Sequence, residues 1–181
     1  MSQTELAMHY VCTNERAQDL IKAHDRFWVS NCGCRESRKQ CARSRVDVCL
    51  MFNPDDPGRG SGKREVSLAD VMGILQEARA KHLVARPFRN QARTDTDGIC
   101  FCCDDCCGYF LDPSERCDKG ELIAATDFDL CSHCGACVAV CYFNARKMNE
   151  NELMVEYELC YGCGLCIASC PENCIQMVSR T

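Results

Sequence analysis

No stretch of the chain approaches the ~18 consecutive apolar residues of a membrane span. The start, Met1-Ser2-Gln3-Thr4-Glu5, has no basic region followed by an apolar core. Together these absences predict a cytoplasmic protein. Positive charge is also in short supply: 21 Lys and Arg stand against 26 Asp and Glu, a formal net charge of -5, so nucleic acid is not an expected partner. Histidine is scarce, and His9, His24, His82 and His133 are scattered, which leaves no legible general acid. Gly58-x-Gly60-x-Gly62-Lys63 lacks the spacing of a phosphate-binding loop and no strand-like run leads into it, so nucleotide binding is not expected there.

Cysteine is what the chain has in excess, 20 among 181 residues. In a short secreted chain that number would mean disulfides, but the cytoplasmic reading makes them reduced thiols available to metals. Two runs, Cys131-x2-Cys134-x2-Cys137-x3-Cys141 and Cys160-x2-Cys163-x2-Cys166-x3-Cys170-Pro171, repeat one spacing at an offset of 29 residues. A loop with a thiolate at every third residue can wrap three corners of an iron-sulfur cubane, and the fourth needs a distant ligand. The third and fourth cysteines of each run disfavour a pair of zinc sites. The same offset matches Gly135 with Gly164, Ala139 with Ala168, Asn144 with Asn173 and Met148 with Met177, so the segment reads as an internal duplication. One departure is Tyr142, where the second copy has Pro171 to end a short helix.

These runs resemble bacterial-type two-cluster ferredoxins. The resemblance implies two [4Fe-4S] clusters with crossed ligation: Cys131, Cys134, Cys137 and Cys170 around one, Cys160, Cys163, Cys166 and Cys141 around the other. It also implies a small α+β domain over residues 121–181. The strand-like segment 121–126 would pair with 175–178, and a hairpin would span 147–157 around Asn149-Glu150-Asn151. Leu130, Val138, Leu159 and Ile167 are expected to shield the clusters from water, with His133 tuning the first.

Residues 1–120 are expected to form a mainly helical, cysteine-rich, metal-stabilised region. One helix begins at Asn14 as its cap, with Ala17, Leu20, Ile21 and His24 on one face, and Phe27 and Trp28 closing that stripe. A second runs over 68–81 behind Ser67, with Asp70 three residues on and Val71, Ile74, Leu75 and Ala78 facing the core. Between them, residues 53–62 are rich in helix and strand breakers and predict an exposed, mobile loop. Basic residues Arg35, Arg38, Lys39, Arg43 and Arg45 crowd this half, as a solvated surface or as a docking face for a charged redox partner.

Nine further cysteines fall in two sequence groups: Cys32, Cys34, Cys41 and Cys49, then Cys100, Cys102, Cys103, Cys106 and Cys107. A third iron-sulfur site, sharing ligands between the groups, is the preferred reading, with zinc or redox-active thiols as alternatives. Adjacent cysteines do not readily chelate one tetrahedral metal, so one of each pair would bridge metals or stay free. Cys12, Cys117 and Cys174 read as plain thiols, Cys174 as a small buried residue.

Cys32-x-Cys34-Arg35, Cys49-Leu50-Met51-Phe52, Ala80-Lys81-His82-Leu83-Val84 and Ile99-Cys100-x-Cys102-Cys103 resemble a family of iron-sulfur proteins of anaerobic bacteria and archaea, a likeness that implies architecture more than activity. This chain has Asp104 and Asp105 where that family usually has more cysteine. Cys106-Cys107-Gly108 also looks like the paired-cysteine motif of heterodisulfide reductase catalytic subunits. The function expected is an electron-transfer protein or subunit that serves a redox protein partner or a larger oxidoreductase complex. The alternatives are a redox enzyme that reduces a thiol, disulfide or small substrate at the N-terminal cysteines, and a zinc-stabilised adaptor carrying a ferredoxin domain.

Overall fold

The computed structural model of the protein describes residues 5–111 and 115–180. Its N-terminal part is not mainly helical. A seven-stranded sheet of order β4-β2-β3-β6-β5-β1-β7 organises it, built from β1 (His9–Tyr10), β2 (Phe27–Ser30), β3 (Cys49–Met51), β4 (Arg64–Val66), β5 (Val84–Arg89), β6 (Thr96–Cys102) and β7 (Cys117–Asp118). All neighbours are antiparallel except β1 and β7. The reason lies in Phe27-Trp28-Val29-Ser30, Val84-Ala85-Arg86-Pro87-Phe88 and Ile99-Cys100-Phe101-Cys102, where aromatic and β-branched residues fit a pleated surface. Phe27 and Trp28 do not close a helical stripe; they begin β2.

Helices α1 (Asn14–Lys22) and α3 (Leu68–Ala80) pack on one face of the sheet. Thr13 rather than Asn14 caps α1, its hydroxyl accepting from Arg16 N at 3.2 Å. At α3 the expected cap holds: Ser67 and Asp70 form a reciprocal capping box. Val71, Ile74, Leu75 and Ala78 meet Val29, Leu50, Ile99 and Phe101 of the sheet in one buried cluster. Fully burying each of the larger aliphatic side chains stabilises the fold by roughly 1.5–3 kcal/mol. Met51 is fully buried on the sheet's other face, with Trp28 and Phe88.

Strand alternation gives the sheet two chemically different faces. Val29, Leu50, Ile99 and Ala85 point to the helices, whereas Ser30, Cys49, Cys100 and Arg86 form a row across β2, β3, β6 and β5 on the opposite face. Short helix α2 (Gly33–Arg38) and α4 (Gly108–Leu111) flank that second face.

The C-terminal part contains two antiparallel pairs, β8 (Leu122–Thr126) with β11 (Ile175–Ser179) and β9 (Arg146–Asn149) with β10 (Glu152–Val155), plus α5 (Leu165–Ala168). These agree with the expected strands and hairpin. The duplication is visible in the backbone, since His133 and Gly162, Gly135 and Gly164, and Asn144 and Asn173 all have positive φ at the same offset. At Gly162 a Cβ would stand 2.2 Å from Leu122 O, so the second copy needs glycine where the first carries histidine. Val11, Val84 and Leu165 form a buried core between the two parts, bordered by Phe110, Tyr142, Phe143 and Tyr161.

Candidate iron-sulfur and thiol sites

The eight C-terminal thiols surround two small cavities. Cys131, Cys134 and Cys137 line the first together with Cys170 from the second run, and Cys160, Cys163 and Cys166 line the second together with Cys141 from the first run. Each loop sends its fourth thiol across because the short turn after its third cysteine reverses away from its own cavity. In the second copy α5 makes that turn; in the first it is made by irregular turns over residues 136–143.

Between these cavities lies Arg146, 3% exposed. Its guanidinium donates to Ala124 O and Thr126 Oγ1, each at 2.8 Å, and to Cys137 Sγ at 3.8 Å. It makes no ion pair among the described residues, so its counter-charge would come from the neighbouring cysteines once they are thiolates on a bound group. Burial pushes the Cys163 thiol up to about 12 and the Cys166 thiol up to about 11, so metal-free thiols there stay protonated and only a bound cation would hold them as thiolates. Cys174 is buried as expected, and its Sγ lies 3.4 Å from Cys170 Sγ, making it a fifth thiol at the first cavity.

His133 accepts from Leu153 N at 2.9 Å through Nδ1, which ties the first loop to β10. Val138 and Ile167 pack against the buried C-terminal cluster, but Leu130 is 60% exposed and shields nothing. Its neighbour Phe128 is likewise exposed.

In the N-terminal part the two sequence groups of cysteines are redistributed. Cys32, Cys34, Cys49, Cys100, Cys102 and Cys107 line one cavity of about 500 Å³ on the face of the sheet opposite α1 and α3. Cys41, Cys103 and Cys106 gather on the helix-covered side, Cys103 and Cys106 within the apolar core and the half-buried Cys41 packed against it. Each adjacent pair is therefore divided, one sulfur to each side.

The cavity is the more polar of the two environments. His9, Arg59, Arg86, Tyr109 and Glu115 line it, and none of these stood out in the sequence. Arg86 is 3% exposed; it donates to Cys107 Sγ at 3.6 Å, to Cys102 Sγ at 3.7 Å and to Glu115 at 2.9 Å. A charged residue inside the apolar run Val84-Ala85-Arg86-Pro87-Phe88 was the available signal. Hydrogen bonding from Cys107, with Arg86 close by, outweighs burial and holds Cys102 at about 7. Burial raises Glu115, but His9 and Arg86 overcome it and hold the carboxyl at about 2. His9, isolated in the sequence, contacts both Glu115 and Cys100 in space.

The 53–62 loop is docked rather than free. Glu36 accepts from Ser61 N at 2.8 Å and from Asn31 Nδ2 at 2.9 Å, and Arg59 lies 4.5 Å over the Phe88 ring at the cavity edge. Within the basic run Arg35 is buried, Arg43 pairs with Asp104, Arg45 pairs with Asp47 and Glu77, and Arg38 and Lys39 are exposed. Cys12 is a buried core thiol, pushed up to about 12 by burial.

An aromatic group joins the two parts. Phe143 and Tyr161, which line the second C-terminal cavity, stack with centroids 4.3 Å apart. Tyr109, which lines the large cavity, meets them at 6.4 and 6.5 Å. Arg86 lies 4.3 Å over Tyr109.

Among the described residues no helix is long and apolar enough to cross a membrane. No curated protein matches the chain. Residues 130–174 match the family described as the 4Fe-4S dicluster domain, a similarity that implies 4Fe-4S cluster binding by this segment.

Proposed function

We propose that the chain is an electron-transfer protein or oxidoreductase subunit, with residues 121–181 as a two-cluster ferredoxin-like domain and residues 1–120 as a thiol-rich domain holding a further iron-sulfur group. Cys131, Cys134, Cys137 and Cys170 would hold one [4Fe-4S] cluster, and Cys160, Cys163, Cys166 and Cys141 the other. When bound, such clusters supply reversible one-electron transfer. The observation that carries the reading is the lining of the two C-terminal cavities, each with three thiols of one run and one of the other.

The residues fit the group. Four soft ligands converge on each cavity, and the buried, carboxylate-free Arg146 offsets the negative charge of thiolate-ligated clusters. In the N-terminal domain, four or more of Cys32, Cys34, Cys49, Cys100, Cys102 and Cys107 would hold the third group, with Arg86 as its counter-charge. Ring contacts among Tyr109, Phe143 and Tyr161 link that cavity to the second C-terminal one.

The test is anaerobic purification with iron, labile sulfide and low-temperature EPR. Iron and sulfide in equal amounts, with interacting [4Fe-4S]⁺ signals after dithionite reduction, are expected. Colourless, iron-free protein overturns the reading.

A second reading is favoured by one observation, the size of the N-terminal cavity. At about 500 Å³ it falls in the range of small-molecule pockets, roughly 300–1,000 Å³. His9 and Glu115 beside the thiols would serve proton movement if a disulfide or small substrate were reduced there. Dithionite-dependent turnover of low-molecular-weight disulfides, lost in Cys107→Ala, distinguishes this enzyme from a carrier.

A further inference from the structure

Cys41, Cys103 and Cys106 present a geometry unlike that of the other thiols. Their three sulfurs lie within 4.8 Å of one another, Cys41 to Cys103 at 3.7 Å and Cys103 to Cys106 at 3.4 Å. Among the described residues no other three His, Cys, Asp or Glu ligand atoms close so tightly. A tetrahedral ion with metal-sulfur bonds of about 2.3 Å spaces its thiolates about 3.8 Å apart. A cubane instead seats each thiolate on a different iron and holds them farther apart, as around the two C-terminal cavities, where no such triad forms. Spacing separates the two chemistries where ligand softness does not.

Charge gives an independent argument. Arg35, 2% exposed, donates to Phe101 O at 3.0 Å, to Arg45 O at 3.2 Å and to Cys103 Sγ at 3.8 Å. It forms no ion pair with a carboxylate among the described residues, and its Nε has no partner there. A buried guanidinium without counter-charge is strongly unfavourable. Three thiolates on a divalent ion carry one net negative charge, which matches Arg35.

We propose that Cys41, Cys103 and Cys106 bind a single zinc ion, distinct from every iron-sulfur group of the chain. Cys103-x2-Cys106 forms the chelating turn after β6, and Cys41 reaches it from the segment after α2. The ion pins residues 39–48, which carry no helix or strand, to the cysteine-rich turn. No fourth side chain closes on the triad among the described residues, so the fourth position takes a solvent-derived or small thiol ligand. The site is structural: it ties the segment after α2 to the turn after β6.

The experiment measures zinc and iron separately in the anaerobically purified full chain after EDTA washing. About one zinc per chain is expected in addition to the iron. Cys106→Ser and Cys41→Ser should lose that zinc with iron, labile sulfide and EPR unchanged, while Cys12→Ser retains it. Growth with cobalt should give intense d–d absorption of tetrahedral thiolate-ligated Co(II) in the unsubstituted chain, a readout that needs no variant to fold. Two results overturn the proposal: zinc-free protein whose Cys106→Ser variant loses iron, which would make the triad cluster ligands, or zinc-free protein with a Cys103–Cys106 disulfide by mass spectrometry. The iron count reports on the proposed electron-transfer function independently, so either reading can fail alone.

Discussion

Cys102 and Cys103 are joined by one peptide bond and serve different sites. Arg86 donates to Cys102 Sγ at 3.7 Å on one side of the sheet, while Cys103 Sγ lies 3.4 Å from Cys106 Sγ on the other. The cause is the period of two along β6, which turns Cys100 and Cys102 to the cavity and Ile99, Phe101 and Cys103 to the helix-covered core. The turn that follows repeats the division with Cys106 and Cys107.

That division predicts separable metal losses. Cys102→Ala with Cys107→Ala should remove the iron of the N-terminal cavity, about four atoms if the group is a cubane, and leave the C-terminal EPR signals in place. Iron analysis and EPR on the double variant check it; unchanged iron would mean that the cavity holds no cluster.

Crossed ligation predicts that paired substitutions depend on which thiols are paired. Cys131→Ala with Cys170→Ala should cost one cluster, about four irons, whereas Cys131→Ala with Cys141→Ala should cost both. Iron and sulfide per chain decide it, and the reverse order would show that each run holds its own fourth ligand.

Arg146→Met should lower the reduction potential of the C-terminal clusters. Reduction adds negative charge beside a buried cation, so removing that cation disfavours the reduced state. At an effective dielectric near 20 the interaction is on the order of 1–2 kcal/mol, or roughly 50–100 mV for one electron. Redox-poised EPR measures the shift, and an unchanged or raised potential contradicts this role for Arg146.

Tyr109→Leu should slow electron exchange between the N-terminal group and the C-terminal clusters without changing iron content. The substitution removes the ring that contacts Phe143 and Tyr161 and lies under Arg86. Rapid-mixing reduction followed by freeze-quench EPR would resolve the two parts; equal rates in both proteins would place the route elsewhere.

Fold stability should respond to the N-terminal core and its cap. Ser67→Ala removes a capping box and should cost about 1 kcal/mol. Ile74→Ala empties a site 2% exposed and should cost about 2–5 kcal/mol. Denaturant unfolding followed by far-UV circular dichroism measures both.

Periodicity made α3, the 147–157 hairpin and the β8–β11 pair legible, because each depends on neighbours in the chain or on a regular apolar pattern. The N-terminal sheet was not legible. Cysteines in Ile99-Cys100-Phe101-Cys102 and Cys49-Leu50-Met51 read as ligands, although they also occupy alternating strand positions. The strands put Cys49, Cys100 and Cys102 on one face of the sheet, beside Arg86.

The sequence by itself determined that this is a thiol-ligand protein with a duplicated cluster-binding segment, because cubane ligation needs short, fixed spacings that a linear pattern records. Only the tertiary structure decided which of the nine N-terminal cysteines lie together. That choice depends on strand register and on where Arg35 and Arg86 are buried. A one-residue shift in register would send every sulfur of β6 to the other face, and spacing along the chain carries no trace of that choice.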